Sequence, residues 1–334
     1  MDIKVVKLMN RIPGGIMVIP LLAGALLNTF LPGALTIGGF TTGLLKEGTS
    51  CLMGLFLICC GASISFKQVG APLYKGALLT VLKLIIGIAI GWGVQYMFGN
   101  EGIFGITPVA LIAVLTNSSG SIYATLADRF GDSTDVGAVS VLSINDGPFL
   151  TMVALGATGM SDIPFMALLA TILPIIIGIV WGNLDGEFRE LCSRALPLII
   201  IFLSFVLGAG MSFVTVIQAG ASGIVLGAVV LVFSGLLLNA LYCLILRKKT
   251  AVGAAAGTAA GNSVATPAAI AEADPGFAPY AAVATAQCSA ACVMTAILCP
   301  VMVALLDKRI KKKQLNVQNM KEEKIIGGKE VHEE

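Results

Sequence analysis

The sequence predicts an all-α polytopic membrane protein with ten transmembrane helices. Its 334 residues are 57% hydrophobic and only 12% charged, whereas soluble domains carry about 25% charged residues. Apolar runs long enough to cross about 30 Å of hydrocarbon lie at 13–31, 48–66, 71–98, 103–128, 135–158, 163–182, 195–213, 220–246, 250–273 and 278–306. The runs are too long for membrane strands and lack alternation of polar and apolar residues, so strand spans are excluded.

The distribution of basic residues predicts that both termini are cytoplasmic, because cytoplasmic loops carry an excess of lysine and arginine. With a cytoplasmic N-terminus, the outer side receives only Lys46. The inner side receives Lys4, Lys7, Arg11, Lys67, Lys75, Arg129, Arg189, Arg194, Arg247, Lys248 and Lys249. Residues 307–334 are rich in charge and are predicted to form a disordered cytoplasmic tail. The lysines that follow the last span are typical of a contact with anionic lipid.

Matching motifs predict two copies of a five-helix unit, at residues 1–159 and 160–306. The matched residues are Pro20 and Gly24 with Pro174 and Gly178, Gly61 with Gly208, and Gly76 with Gly223. They occur in the same order in both halves and at nearly constant spacing. Because five is an odd number, the second copy must enter the membrane upside down. Inverted repeats of this kind place a substrate site near the membrane midplane.

Two polar stretches interrupt apolar runs in the two halves, at residues 116–121 and 261–267. Laid over each other, they pair Asn117 with Asn262, Ser118 with Ser263, and Ser121 with Thr266. Backbone that leaves a helix at membrane depth is tolerated only where protein buries it or where it lines a cavity. Paired broken helices in two repeats indicate the substrate site of a transporter. We therefore predict two discontinuous helices here.

Each predicted break should be followed by a new helix start. Thr266 suits the N-cap position of a helix, and Pro267 suits the first helical position after it. Ser121 takes the matching N-cap position in the first half. Exposed backbone N–H groups and the positive end of the helix dipole bind carboxylates or phosphates at such starts. The predicted substrate-binding residues are Asn117, Ser118, Ser119, Gly120, Ser121, Asn262, Ser263 and Thr266. They suit a small organic anion with hydroxyl groups; the alternative is that they only join helix to helix.

Asp146 and Glu272 are the predicted proton-coupling residues. Asp146 lies well inside an apolar run, where a carboxylate must be paired, hydrated or protonated, and so can exchange a proton near neutral pH. The alternative is a structural partner for backbone groups freed by Gly147 and Pro148. Glu272 is the second candidate, although it lies near a membrane interface where solvation also accounts for it. Lys83 lies deep in a span, and three roles remain open for it: snorkelling, pairing with an acid, or attracting substrate.

The sequence disfavours an enzyme. It shows no nucleophile–base pair and no metal-ligand spacing, and its one histidine, His332, lies in the tail. The eight cysteines fall mostly in apolar runs and are typical of helix packing. We therefore expect no cofactor, no metal and no nucleic-acid partner. No phosphate-binding loop motif is present, so an ion or solute gradient, with the proton as coupling ion, should drive transport. A passive channel is the alternative from another class.

The residues also resemble the 2-keto-3-deoxygluconate permease family over about residues 11–312. The resemblance lies in 11–15 (Arg-Ile-Pro-Gly-Gly), 19–21 (Ile-Pro-Leu), 26–30, 38–40, 147–152 and 182–185. It implies a symporter of a bacterial inner membrane that imports 2-keto-3-deoxygluconate, or a closely related sugar acid, with a proton by alternating access. The family is similar in architecture to the bile acid:sodium symporter superfamily. That similarity implies a panel of spans one, two, six and seven and a core of the other six, with Asn117 and Asn262 at the crossing.

The sequence departs from the pattern of sodium-coupled relatives, which tend to carry an acidic residue at the crossing on the ninth span. Asn262 stands in that region here. This departure favours the proton over sodium and leaves Asp146 as the nearest ionisable group. The alternative function is a sodium-coupled or exchange carrier of another small carboxylate.

Overall fold

The computed structural model describes residues 5–9, 15–64, 70–142, 148–157, 159, 163–210 and 212–330, without the side chains of 216, 262 and 316–330. These ranges are helical and contain no β-strand. The helices are α1 (Val5–Met9), α2 (Gly15–Phe30), α3 (Pro32–Leu35), α4 (Gly39–Leu45), α5 (Thr49–Ser63), α6 (Ala71–Phe98), α7 (Pro108–Thr116), α8 (Gly120–Phe130), α9 (Ser133–Gly137), α10 (Val139–Leu142), α11 (Phe149–Ala157), α12 (Phe165–Leu184), α13 (Gly186–Ala209), α14 (Phe213–Val230), α15 (Leu238–Leu246), α16 (Gly261–Ala273) and α17 (Ala278–Glu330). A π-helix, Leu231–Leu237, joins α14 to α15, and a 3-10 helix, Val252–Ala256, precedes α16.

Several of these helices are long and apolar enough to cross a membrane. Five qualify singly, at Ala71–Glu101, Phe165–Leu184, Gly186–Ala209, Phe213–Leu246 and Pro275–Leu315. Two bent pairs, α4 with α5 (58°) and α7 with α8 (41°), raise the number to seven within the described residues. The segments Gly15–Phe30 and Ser133–Leu142 are apolar but shorter. An all-helical, multi-pass membrane protein is thus confirmed, and the count of ten spans stays a prediction.

The last helix continues beyond the membrane segment, where the sequence predicted a disordered tail. α17 runs through the charged residues to Glu330. Residues 307–326 contain no proline or glycine and are rich in lysine, with glutamine and glutamate besides, all of which favour helices. Lys311 also pairs with Asp307 one turn earlier, at 2.8 Å, as oppositely charged residues four apart do on helices.

Four helices form two tightly packed pairs, α2 with α13 and α12 with α5. A side chain at Gly24 in α2 would overlap the backbone of α13, and one at Gly208 in α13 would overlap α2. Gly178 in α12 and Gly61 in α5 meet each other's helices in the same way. Small residues let helix backbones approach closely in membranes, where van der Waals packing holds helices together. Glycines that correspond between the two halves of the sequence, Gly24 with Gly178 and Gly61 with Gly208, therefore make equivalent contacts between helices.

A basic side chain closes each helix pair at one end. The Lys46 ammonium donates to the carbonyl of Ala209, in the last turn of α13, at 2.6 Å, and to an asparagine of α2. The Arg189 guanidinium donates to the carbonyl of Ala62, in the last turn of α5, at 3.2 Å, and to an asparagine of α12. Basic residues favour helix C-termini because the carbonyls there lack helical partners. Lys46 and Arg189 thus stabilise opposite helix pairs in the same manner.

The other helices surround the two predicted breaks. α6 packs against α10, with Gly76 beneath Val141, and α14 packs against α17, with Gly223 beneath Ala290. A Cβ atom at either glycine would lie 2.6 Å from the Cβ atom of its neighbour, so neither position accepts a side chain without movement. These contacts hold α6, α10, α14 and α17 in place around the breaks.

The π-helix Leu231–Leu237 lies beside both breaks. Its Ser234 hydroxyl donates to the carbonyl of Leu115, near the end of α7, at 3.1 Å. Its Gly235 lies so close to Gly257 that a Cβ atom on Gly257 would lie 2.5 Å from the Gly235 Cα atom. π-helical turns occur frequently at functional sites.

Gly178→Ala should destabilise the protein, because the added methyl group would meet the carbonyl of Ile58 in α5. Overpacking of this kind costs about 1–3 kcal/mol. Gly93→Ala is the matched control, since Gly93 lies in a helix and faces open space. Thermal unfolding of the purified protein in detergent should show a lower melting temperature for Gly178→Ala and an equal or higher one for Gly93→Ala. Equal melting of both variants would contradict the packing described above.

Candidate functional site

The first break separates α7 from α8. Asn117 (φ −92°, ψ 149°) and Ser119 (φ −77°, ψ 105°) are extended, and the two helices are bent by 41°. The predicted break in the fourth apolar run is therefore confirmed. Its cap position is Ser119, whose carbonyl accepts a hydrogen bond from Tyr123 N–H at 2.9 Å. The prediction that Ser121 caps the helix is wrong, because Ser121 is already the second residue of α8 and is exposed.

The second break lies upstream of the predicted stretch. α16 begins at Gly261, and residues 257–260 before it are irregular. The cap position is Ala260, whose N–H donates to the Ser263 hydroxyl at 3.1 Å. The prediction that Thr266 and Pro267 begin the helix is wrong, because both lie inside α16. The Ser263 hydroxyl already satisfies a backbone group at the earlier start, so the helix needs no second cap.

The shifted start changes which residues of the two halves correspond. Aligning the starts of α8 and α16 pairs Asn117 with Thr258 and Ser121 with Asn262. This alignment differs by four residues from the predicted pairing of Asn117 with Asn262, which stays a prediction. Asn262 is the second residue of α16, and its side chain lies outside the described structure.

The two breaks contact each other directly. The Ser118 hydroxyl donates to the carbonyl of Ala256 at 3.1 Å, and the Ser119 N–H donates to the Thr258 hydroxyl at 3.0 Å. Ser118 and Thr258 are buried, as is Thr295 of α17, whose hydroxyl accepts from the Ala259 N–H at 3.0 Å. Groups left without helical partners in one segment thus find partners on the other segment or on α17. We call this contact the crossing, defined by residues 117–119 and 256–260.

Lys83 of α6 reaches into the crossing. Its ammonium donates to the Ser118 hydroxyl at 2.7 Å and to the carbonyls of Ala256 at 2.6 Å and Thr258 at 3.0 Å. The side chain is only 1% exposed, so Lys83 does not snorkel to an interface. Of the roles that the sequence left open for Lys83, snorkelling is therefore excluded.

Asn117 carries a buried amide oxygen without a partner. Its Nδ2 donates to the Ala113 carbonyl at 2.9 Å, whereas its Oδ1 has no hydrogen-bond partner among the described residues. A buried acceptor left unsatisfied costs about 1–3 kcal/mol. The position therefore suits a ligand that donates a hydrogen bond.

Met17 of α2 covers the start of α16. A Cβ atom at Gly261 would lie 2.5 Å from the Met17 sulfur, and Met17 itself is buried. The first residue of α16 therefore lies against a side chain of the α2–α13 pair.

A cavity of about 320 Å³ lies between α5, α12 and the far end of α16. Glu272 lines it and accepts a hydrogen bond from the Ser50 hydroxyl at 2.8 Å. Pro148 and Thr171 contribute to the wall. Glu272 is exposed, and its hydrogen bond with Ser50 links α16 to α5 across this cavity. Asp146, two residues before Pro148, lies outside the described residues, so its placement stays a prediction.

Comparison with known proteins identifies the family. A sequence profile described as 2-keto-3-deoxygluconate permease matches residues 6–312. The chain belongs to the 2-keto-3-deoxygluconate permease family. It is 48% identical over 309 residues to 2-keto-3-deoxygluconate permease 1 of Salmonella typhimurium, covering 92% of this chain and 96% of the relative. The 2-keto-3-deoxygluconate permeases of Bacillus subtilis (37% over 316 residues; 93% and 96%) and Escherichia coli O157:H7 (32% over 324 residues; 95% and 98%) are also similar. The protein is a transporter rather than an enzyme.

In this permease, sequence reasoning found one break and missed part of the other. Of the predicted residues, Asn117, Ser118 and Ser119 lie at the crossing, and Ser263 and Thr266 are buried in α16. Thr258 and the Ala256 carbonyl were missed. A signal was available in 257–261 (Gly-Thr-Ala-Ala-Gly), where two glycines flank three small residues.

The permease has a second buried polar cluster, between α6, α8, α9 and α15. The Lys75 ammonium lies 2.6 Å from an Asp135 carboxylate oxygen and 3.0 Å from one of Asp132. The Tyr242 hydroxyl donates to the Asp135 carboxylate at 3.3 Å, and the Tyr123 hydroxyl to the Asp135 carbonyl at 3.1 Å. The sequence counted Lys75 among loop residues. It is instead buried and ion-paired, because the loop carboxylates turn back onto α6.

Asp132 is the exposed member of this cluster and precedes α9 as its N-cap. A hydrogen bond from the Thr134 hydroxyl and the Lys75 ammonium hold the pKa of Asp132 below its ordinary value, although partial burial opposes them. A carboxylate with a lowered pKa stabilises the fold above its unfolded pKa of about 3.9. That contribution is lost as the pH falls through the lower, folded pKa.

Asp132→Asn should therefore lower the melting temperature at neutral pH and reduce its dependence on pH between about pH 5 and pH 2. Asparagine still serves as an N-cap, so the substitution removes mainly the charge. Asp128→Asn, which changes an exposed carboxylate of α8, is the control and should melt as the unsubstituted protein does. The measurement is thermal unfolding over this pH range, and an unaltered pH profile for Asp132→Asn would refute the assignment.

Proposed function

We propose that this protein imports 2-keto-3-deoxygluconate, or a closely related sugar acid, together with a proton by alternating access. The relatives that bear this substrate in their names cover nearly the whole chain. The observation that carries the proposal is the contact between the two breaks, from Ser118 to Ala256 and from Ser119 to Thr258. Two helix starts that meet inside a membrane bind anionic groups without a salt bridge.

We propose ten spans in two inverted repeats, residues 1–159 and 160–306. Residues matched between the repeats make matched contacts, which supports the proposal. Gly24 packs α2 on α13 as Gly178 packs α12 on α5, and Gly76 and Gly223 pack their helices in a corresponding way. Lys46 and Arg189 close the ends of opposite helix pairs.

The α2–α13 and α12–α5 pairs would form the panel, and the remaining membrane helices the core. The crossing is built from core helices, whereas Met17 of the panel covers the start of α16. A relative movement of panel and core would uncover this helix start, as alternating access requires. The distribution of Lys and Arg supports cytoplasmic termini in a bacterial inner membrane, with the basic residues of α17 near anionic lipid.

The carboxylate of the substrate would bind the N–H groups at the starts of α8 and α16, and its hydroxyl groups the polar side chains around them. The proposed residues are Asn117, Ser118, Ser119, Gly120, Ser121, Asn262, Ser263 and Thr266. Asn117 is the strongest of these candidates, because its buried Oδ1 suits a substrate hydroxyl. Ser118 and Ser263 already bond to the backbone around the breaks, so they would shape the site from behind.

Asn117→Ala should weaken binding of 2-keto-3-deoxygluconate about tenfold, because one hydrogen bond to a buried acceptor is lost. The matched control is Thr125→Ala, since Thr125 is exposed on α8 and, within the described part of the chain, its hydroxyl bonds to the Ser121 carbonyl of its own helix alone. Calorimetric titration of the purified variants checks this. If Asn117→Ala binds the substrate with unchanged affinity, Asn117 is not part of the binding site. If both variants lose affinity, the effect is a general one on α8.

For the coupling proton we propose Asp146, with Glu272 as the second candidate. The contacts of Gly76 and Gly223 pair Val141 with Ala290. Counting on from that pair matches Asp146 with Thr295, which accepts a hydrogen bond from the second break. This match supports a corresponding role for Asp146 at the first break. Glu272 is supported by its place in the cavity wall beside Ser50.

Asp146→Asn should abolish accumulation driven by an imposed pH gradient and leave exchange of internal for external substrate intact, because only proton uptake is blocked. Uptake into proteoliposomes with and without the gradient measures both activities. Glu272→Gln is the comparison variant and should keep accumulation. If instead Glu272→Gln loses it and Asp146→Asn does not, the proton site is Glu272. If the unsubstituted protein ignores the gradient, proton coupling is refuted.

A sodium-coupled or exchange carrier of another small carboxylate is the second candidate. The unpartnered Oδ1 of Asn117 favours it, since a neutral oxygen is also a ligand for a hard cation. A sodium jump at constant pH distinguishes the candidates, because it should stimulate uptake only in a sodium-coupled carrier.

A further inference from the structure

Lys83 lies near the middle of a membrane-crossing helix. It is about 18 Å from the start of α6 and about 22 Å from its end at 1.5 Å per residue, which is farther than a lysine side chain reaches. The side chain is 1% exposed. A charge at this depth is expensive and marks a functional position unless it is structurally compensated.

Oxygens of both breaks contribute to this compensation. The Ser118 hydroxyl belongs to the first break, and the carbonyls of Ala256 and Thr258 border the second. An ammonium has three N–H donors and no acceptor, and these three oxygens lie within 3.0 Å of it. Carbonyl and hydroxyl oxygens grouped around one positive charge are the ligand set of a bound metal cation.

We propose that Lys83 is a built-in cation that holds the two breaks of the transport site in register, at a place where unwound carbonyls would otherwise coordinate an exchangeable metal cation. The proposal rests on the function proposed above. It makes Lys83 a positioning residue, which acts on the substrate through the helix starts of α8 and α16.

The hydrogen bonds form a closed ring that explains this role. Lys83 donates to Ser118 and to Ala256, and Ser118 also donates to Ala256. Any separation of the two breaks opens at least one of these bonds. Gly235 of the π-helix also lies against Gly257 of the second break. The second break is therefore held by contacts with both the π-helix and the Lys83 ammonium.

Two substitutions of Lys83 distinguish the effect of its charge from the effect of its volume. Lys83→Met fills most of the space without a charge, whereas Lys83→Ala leaves room beside the three oxygens. Lys46→Met is the matched control, because Lys46 also donates to a carbonyl and to an amide oxygen but lies away from the crossing. The full-length protein is purified in detergent, and its melting temperature is compared in sodium, ammonium and choline chloride at equal ionic strength.

We expect Lys83→Ala to melt at a lower temperature in choline and to recover in sodium or ammonium, whose cations fit the vacated oxygens. Lys83→Met should melt lower in all three salts, since the methionine occupies the space. The unsubstituted protein and Lys46→Met should show no difference among the salts. A Lys83→Ala protein that melts alike in all three salts would overturn the proposal.

Substrate binding gives a second readout. Lys83→Met should bind 2-keto-3-deoxygluconate at least about tenfold more weakly, and equal affinity would also overturn the proposal. If the unsubstituted protein binds no sugar acid, the proposed function fails, while the salt dependence of melting still decides the role of Lys83. If neither Lys83 variant can be purified, Ser118→Ala decides: weaker binding than in Thr125→Ala supports the ring, and equal binding refutes it.

Discussion

The structure depends on how backbone groups are satisfied where two helices stop inside the membrane. A helix end leaves N–H and carbonyl groups unpaired, and hydrocarbon offers them no partner. Here the two stops meet, so the Ser119 N–H finds the Thr258 hydroxyl and the Ala256 carbonyl finds Ser118 and Lys83. Each break therefore supplies hydrogen-bond partners to the other, and the helices around them must hold the two segments together.

Contacts between glycines and the backbones of neighbouring helices keep the surrounding helices in fixed positions. Where Gly24, Gly61, Gly178 and Gly208 lie, helix backbones touch and leave no room for a side chain. Close packing of this kind is rigid because it does not deform continuously. The α2–α13 and α12–α5 pairs are therefore closely packed units, and the crossing is held by separate contacts with α6 and α17. The movement of panel against core proposed above would leave both sets of contacts intact.

Among the described residues, the buried charged side chains Lys83, Lys75 and Asp135 have hydrogen-bond or ion-pair partners. Lys83 is surrounded by oxygens of the crossing, and Lys75 is paired with Asp132 and Asp135 at a distance from it. Glu272 faces a cavity and an α5 hydroxyl. In the function proposed above, a sugar acid would meet the two helix starts and the neutral polar groups beside Lys83. Dipoles of this kind bind an anion while leaving it free to depart, as a carrier requires.

The sequence by itself determined that the protein is a helical, multi-pass membrane transporter and that its fourth apolar run is broken at residues 117–119. Hydrophobic runs report membrane helices directly, and the polar residues at 117–119 interrupt one of them visibly. The second break escaped because residues 257–260 are small and mostly apolar, so they give no polar signal, while Pro267 resembles a helix start although it lies within α16. Only the tertiary structure decided where α16 begins, since the close approach of Gly257 to Gly235 involves residues distant in the chain. It also decided the partners of Lys83 and Lys75, because a buried charge is satisfied by groups from other helices that no local pattern records.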